Sequence, residues 1–382
     1  MDLLNGSAYV LESAQAIDKH GKRYMVALAK ATYDFPTDDF TEPRLAKKQL
    51  PILSADVFEG EPGLSAAFFE CEYGLRKKQC DVILKATAYA RNHKPTKELL
   101  VGFRVGQCTK KIRVVGNRQW QGLLSLSPSR PEPFTEMPIT YSRAFGGSRP
   151  PMGKKDEGIF YPQNPIGCGY AKGKYQAALK NTPVPNLEHP NKPVKHCDGD
   201  YPPMSFGPIG RSWQPRLAFA GTYDEKWKEE TFPLLPADFD ETFMQVAPTD
   251  QQIPFPVGGE PVVLVNLHPT KDSIVFALPN LDLPMVALTK NRTQHRLEPV
   301  VDCITIDADK QQLSILWRAH LPIARSIAEI DTLAAGKVSQ CQWRTLVMGL
   351  GSCSEQASPD DPADLVDVTD AMENCSDCNL NA

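Results

Sequence analysis

Apolar and polar residues alternate with a two-residue period along much of the first third of the chain, as half-buried strands do. In YMVALAKATYDF, Tyr24 to Phe35, Val26, Leu28 and Lys30 alternate with smaller residues, and turn signals bound the run. FFECEYG and CDVILKATAYA continue the pattern, the latter setting Val82, Leu84, Ala86 and Ala88 against Asp81, Lys85 and Thr87. LLVGFRVG and KIRVVGN flank a short polar connection and predict a hairpin with Val101, Phe103 and Val105 on one face. A second set of strand-like runs follows: RLAFAGTYD, EPVVLVNLH, SIVFALP, LPMVALT, EPVVDCITID and QLSILWRAHLP. The last two, joined at Ala308 to Lys310, read as another hairpin. Short helices are predicted at KGKYQAALKN, YDEKWKEE, ADFDETFMQV and SIAEIDTLAA.

Between Pro128 and Pro215 lie sixteen prolines, interleaved with GG, PP, NP and GP dipeptides that punctuate turns and extended chain. Aromatic residues such as Phe145, Tyr161, Tyr170, Tyr201 and Phe206 are frequent there, which argues for ordered irregular structure packed over a sheet. The expected architecture is therefore mainly β, antiparallel and β-sandwich-like, with a few short helices. Two β-rich parts, residues 1–125 and 215–325, are bridged by an ordered Pro/Gly-rich segment, 126–214. A short helix and linker, 326–350, and an acidic, disordered tail, 351–382, complete the chain.

Composition narrows the function classes. With 41% hydrophobic and 23% charged residues the 382-residue chain is ordinary for a soluble protein, and no apolar run reaches the ~20 residues of a membrane helix. The 34 prolines disfavour long helices. Of 46 acidic residues, eight lie from Gly351 onward in a stretch without Lys or Arg, leaving a weakly basic body. That balance does not suggest a nucleic-acid partner. Ten scattered cysteines and an N-terminus without a secretory pattern predict a cytoplasmic protein without a disulfide framework.

Enzyme signatures fail on spacing. GSRPPMGKK places five residues between its glycines and Lys155 where a phosphate loop needs Ser or Thr. No G-x-S-x-G elbow and no H-E-x-x-H helix occurs. His196, Asp198 and Asp200, with a distant His268 or His320, are the one alternative for a metal-dependent enzyme, but they match no closed ligand pattern. Cys375 and Cys378 form a single C-x-x-C pair. No catalytic residue, cofactor or metal is expected. Arg118, Trp120, Arg143, Arg211, Trp213 and Arg216 are instead candidates for binding a protein partner, because Arg and Trp concentrate at interface hot spots.

Several motifs in order, among them VVGNRQW, MPITYSRAFGG, YPQNPIGCGY, PNLEHP, YPPMSFGPIGRSWQPRLAFAGTYDEKW, LLPADFD and VVDCITIDADKQQLSILWRAHLP, carry a family resemblance from Tyr24 to Arg325. They resemble a bacterial domain-of-unknown-function family encoded beside PAAR, VgrG and pentapeptide-repeat proteins in type VI secretion clusters. The resemblance implies a cytoplasmic adaptor or chaperone that binds a PAAR-type carrier or an effector N-terminal segment and aids its loading onto the VgrG spike. A secreted, effector-associated structural component is the further alternative. The resemblance assigns no binding residue and no oligomeric state.

Overall fold

Strands β1 (Asp2–Gly6), β2 (Val10–Ile17) and β3 (Arg23–Asp34) open the chain in the computed structural model, which describes residues 1–37, 41–122, 125–153, 156–349 and 364–376. Strand β4 (Cys80–Lys85), the hairpin of β5 (Glu98–Val105) and β6 (Cys108–Val115), and the short β7 (Leu187–Glu188) follow. Next come β8 (Gln252–Ile253), β9 (Pro261–Val265), β10 (Ser273–Ala277), β11 (Met285–Thr289) and β12 (Gln294–Leu297). The long β13 (Val300–Asp307), β14 (Gln312–Ile323) and β15 (Ile330–Ser339) complete the main body. Strand outweighs helix by 39% to 14%, so the protein is mainly β as its patterning predicts.

Three larger sheets organise the strands. The largest runs β2-β3-β14-β13-β4-β8, with Arg44–Leu45 added beside β3. It is antiparallel except where β4 meets β13 in parallel. A five-stranded sheet runs β7-β6-β5-β9-β10, antiparallel throughout. The third runs β1-β15-β11-β12, with β1 parallel to β15. Each of these sheets thus combines early and late strands, so the two β-rich stretches of sequence share sheets.

The core follows from side-chain alternation. Met25, Ala27, Ala29, Ala31 and Tyr33 of β3 point into a cluster that also takes Val101, Phe103, Ile112, Leu264, Ile304, Trp317 and Leu333. Val26 and Leu28 point the other way, onto Ile52, Cys303 and Leu316. Both faces of β3 are buried, so its sequence is nearly continuous in apolar and small residues. The Pro-rich segment has its own aromatic core, in which Phe145 meets Tyr161 and Tyr201 edge-on at 5.1 and 4.9 Å beside the fully buried Trp120. Among the described residues no helix is long and apolar enough to cross a membrane.

Four local expectations need correction. RLAFAGTYD is no strand: Gln214–Leu217 is a helical turn, with Pro215 in its first turn where the missing N–H costs nothing. KGKYQAALKN and ADFDETFMQV wind only as 3-10 turns, Gly173–Leu179 and Glu241–Met244, whereas Glu225–Glu230 is an α-helix capped by Asp224. SIAEIDTLAA makes one capped turn, Ile327–Glu329, and then becomes β15. Leu333 and Ala335 of β15 enter the main core while Ala334 and Val338 enter a second cluster, so the strand is buried on both faces and its sequence lacks the alternation that marks a half-exposed strand.

The acidic tail is the fourth. Helix α1 (Gln340–Met348) is capped by Ser339 and ends at Gly349 in a left-handed conformation (φ 67°). Strand β16 (Leu365–Asp367) pairs with the end of β15, and helix α2 (Val368–Ser376) then packs on the same sheet. Val368, Ala371 and Cys375 fall on one helical stripe and bury against Trp343, Val286 and Ala334. Three well-spaced apolar residues dock the segment despite its acidic composition. The remainder of 351–382, Cys378 included, lies outside the described residues. Cys341 is disulfide-bonded, while Cys71, Cys80, Cys108, Cys168, Cys197 and Cys303 are free.

Candidate functional site

The six arginines and tryptophans singled out by sequence do not share one exposed face. Trp120 and Trp213 are core residues, Trp213 meeting Tyr141 edge-on at 5.0 Å. Arg118 is buried, its Nη2 donating to the Pro185 carbonyl and to Glu188 at 2.6 Å each. Arg216 is buried against Glu70 and donates to the carbonyls of Ile209 and Phe243. Only Arg211, bridging Asp56 and Glu70, and the half-buried Arg143 reach solvent. Most of these residues therefore hold the Pro-rich segment onto the sheets: a segment with few backbone ladders needs side-chain anchors, and the planar guanidinium donates to several oxygens at once.

The anchored segment walls a cleft of about 810 Å³. Its lining includes Thr109, Lys110 and Lys111 of β6 together with His189, Pro202 and Pro203 of the Pro-rich segment. An adjoining recess of about 440 Å³ extends the cleft past His189 to Lys192 and Asp200. Lys110 is buried at the cleft, its ammonium donating to Asp250 at 3.0 Å and Gln251 at 2.8 Å. Burial pulls the Lys110 pKa below that of an ordinary lysine, with Asp250 opposing the shift. Tyr141, also lining the cleft, is pushed up by burial and by Asp250, so its hydroxyl stays protonated.

The backbone of β6 is the cleft's other functional element. On one side β6 pairs with β5 along its whole length. On the other, β7 covers only Arg113 and Val114, and the Val115 N–H reaches Asn186 O at 2.8 Å. Alternation turns the N–H and C=O groups of Thr109 and Lys111 to that same edge, where no described strand pairs with Cys108–Ile112. Thr109 and Lys111 are exposed, and Lys111 has no acidic partner among the described residues. An open strand edge in a recess can accept an extended chain by main-chain hydrogen bonding.

The alternative metal-ligand set does not converge. Asp200 accepts a hydrogen bond from Tyr161 at 3.0 Å, and Asp198 accepts one from Gln176 at 3.1 Å. His268 lies in the turn between β9 and β10, where Nδ1 accepts backbone N–H groups, and His320 on β14 packs against Tyr24. Among the described residues no three His, Cys, Asp or Glu side chains gather as a metal site would require.

From sequence, Lys110 and Lys111 stand out only as part of the basic hairpin Arg91 to Arg118, which reads as a solvated face or as a docking face for an acidic or strand-presenting partner; Asn186 and Glu188 do not stand out. The two-residue loop Gly106–Gln107 does determine which backbone groups of β6 face outward. Nothing in the sequence places β7, some seventy residues away, beside only one end of that edge.

Residues 20–318 match the model of a family described as an uncharacterized protein conserved in bacteria, DUF2169. The chain belongs to this family. No curated protein and no solved structure matches it.

Proposed function

We propose that this bacterial family member is a non-enzymatic adaptor of type VI secretion. It binds an extended segment of a PAAR-type carrier or effector in the cytoplasm and aids its transfer to the VgrG spike. The motif resemblance from Tyr24 to Arg325 motivates the assignment. The observation that carries it is the open edge of β6 inside a proline-walled cleft. Strand addition draws its hold from main-chain groups, so it tolerates varied cargo sequences, and side-chain pockets along the groove supply selectivity. An exposed edge also invites unwanted pairing; recessing it and placing a lysine on it limits that hazard.

Co-expression with a PAAR-type protein, followed by size-exclusion chromatography, tests the reading. A stable complex is expected. Lys111→Pro removes one outward N–H while sparing the β5 ladder, and should weaken the complex about tenfold or more, whereas Lys111→Ala keeps the N–H and most of the affinity. Failure to bind the carrier, its effector and VgrG alike would overturn the proposal.

A further inference from the structure

On another face of the Pro-rich segment, a pocket of about 410 Å³ is lined by Asn117, Arg118, Gln119, Glu132, Arg143 and Asn186, among others. Its polar groups are fixed in sequence. The Asn186 amide nitrogen donates to Val115 O at 2.9 Å and to Asn117 Oδ1 at 3.2 Å, while Asn186 Oδ1 accepts from Arg143 Nη1 at 3.2 Å. That chain leaves the Asn117 amide nitrogen, and Nε and Nη2 of Arg143, without partners among the described residues. Arg143 also has no carboxylate within ion-pair distance among them, although it is half-buried. Arg118 is held at the same pocket by Glu188 and Pro185, and its Nε is buried without a partner.

Charge at this place is unbalanced. Arg113 pairs with both Glu98 and Glu188, Arg118 shares Glu188, and Arg143 has no carboxylate, so three guanidinium groups meet two paired acids. Cys168 lies in the field of Arg143, Arg118 and Arg149, all of which favour its thiolate; burial nevertheless holds the thiol up at about 12. A half-buried guanidinium with spare donors, locked in orientation by an amide chain and beside a second arginine, is a receptor for a planar or tetrahedral oxyanion. Glu132, the acidic group on the lining, is exposed at the rim and sets a limit on how much negative charge the pocket tolerates.

We infer that the Arg143–Asn186–Asn117 pocket binds a small oxyanion, a carboxylate or a phosphate, carried by a molecule of metabolite size. The volume exceeds that of a bare ion and lies in the range of small-molecule sites. The site is separate from the β6 cleft and does not depend on the adaptor reading.

Titration calorimetry of the full chain at low ionic strength, with inorganic phosphate and with citrate as probes, tests the inference; low salt avoids screening of the half-exposed charge. Saturable binding of at least one probe is expected. Arg143→Gln should weaken it by about tenfold or more, and Arg143→Lys by less, since it keeps charge and loses the fork. Asn117→Asp puts a carboxylate into the pocket at an exposed position and should abolish binding with the fold intact, which decides the matter if Arg143→Gln unfolds. Arg211→Gln, on a different carboxylate pair, should leave the affinity unchanged. Stronger binding of citrate identifies an organic acid as the ligand class, and stronger binding of phosphate a phosphate ester. Absence of saturable binding to either probe, equal binding by Asn117→Asp, or the same response to sodium chloride at matched ionic strength would overturn it.

Discussion

Replacing Glu70 tests whether Arg211 and Arg216 act as structural anchors. One buried carboxylate receives both Arg211 and Arg216, tying Gly210–Leu217 to the loop before β4. Replacing it by Gln preserves shape and removes the charge. Arg216, only 5% exposed, would then keep its bonds to Ile209 and Phe243 but lose its counter-ion. Removing one partner of a buried ion pair costs about 3–5 kcal/mol, and the surviving carbonyl bonds favour the lower end. Arg211 is different: its side chain is 49% exposed and its removal leaves Glu70 paired with Arg216, so Arg211→Ala should cost below about 1 kcal/mol. Urea unfolding followed by tryptophan fluorescence measures both, and a midpoint shift at unchanged slope reports stability alone. The double variant Glu70→Gln, Arg216→Gln should be less destabilised than the sum of its singles, because the two residues are coupled. A loss below about 1 kcal/mol for Glu70→Gln, or equal losses for Glu70→Gln and Arg211→Ala, would refute the assignment of these arginines as structural anchors.

Two further outcomes follow from the C-terminal region. Truncation after Gly349 should destabilise the fold by about 2–4 kcal/mol, from the lost burial of Val368, Ala371 and Cys375, and should shift tryptophan emission to the red as Trp343 is uncovered; an unchanged melt and spectrum would show that α2 contributes nothing. Glu329 accepts backbone N–H groups from Ala324, Arg325 and Ser326, which lower its pKa from the usual 4.5. A folded-state value below the unfolded one means the stabilisation is complete above the unfolded pKa and lost as pH falls through the folded one. The melting-temperature gap between wild type and Glu329→Gln should therefore be constant near neutrality and close on acidification below about 4.5; a gap that widens there would contradict the capping role.

Some of this protein is written in its local pattern. Large–small alternation and flanking turns mark β3 although both its faces are buried, and period-two runs mark β4, the β5–β6 hairpin and the β13–β14 hairpin, since alternation and tight turns act between near neighbours. The order within the Pro-rich segment is also legible, because its aromatics need an interior, and they form one around Phe145. β15 was not legible: a strand buried on both faces loses its period and resembles a short helix. Neither was α2, whose three buried residues are too few to stand out among acidic neighbours until β15 and Trp343 supply the surface they cover.

The functional geometry belongs wholly to the tertiary structure. Sequence could name Arg118, Arg143, Arg211 and Arg216 as chemically capable of binding. It could not say that Glu70 and Glu188, far away along the chain, would occupy three of them and leave Arg143 without an acid. Nor could it show that β7 stops after two residues and bares the edge of β6. Strand period, turn chemistry and composition act over a few residues and are carried by the sequence directly. Which charges are neutralised, and which strand edges are covered, depends on partners seventy to a hundred and fifty residues away, and only the folded chain brings those together.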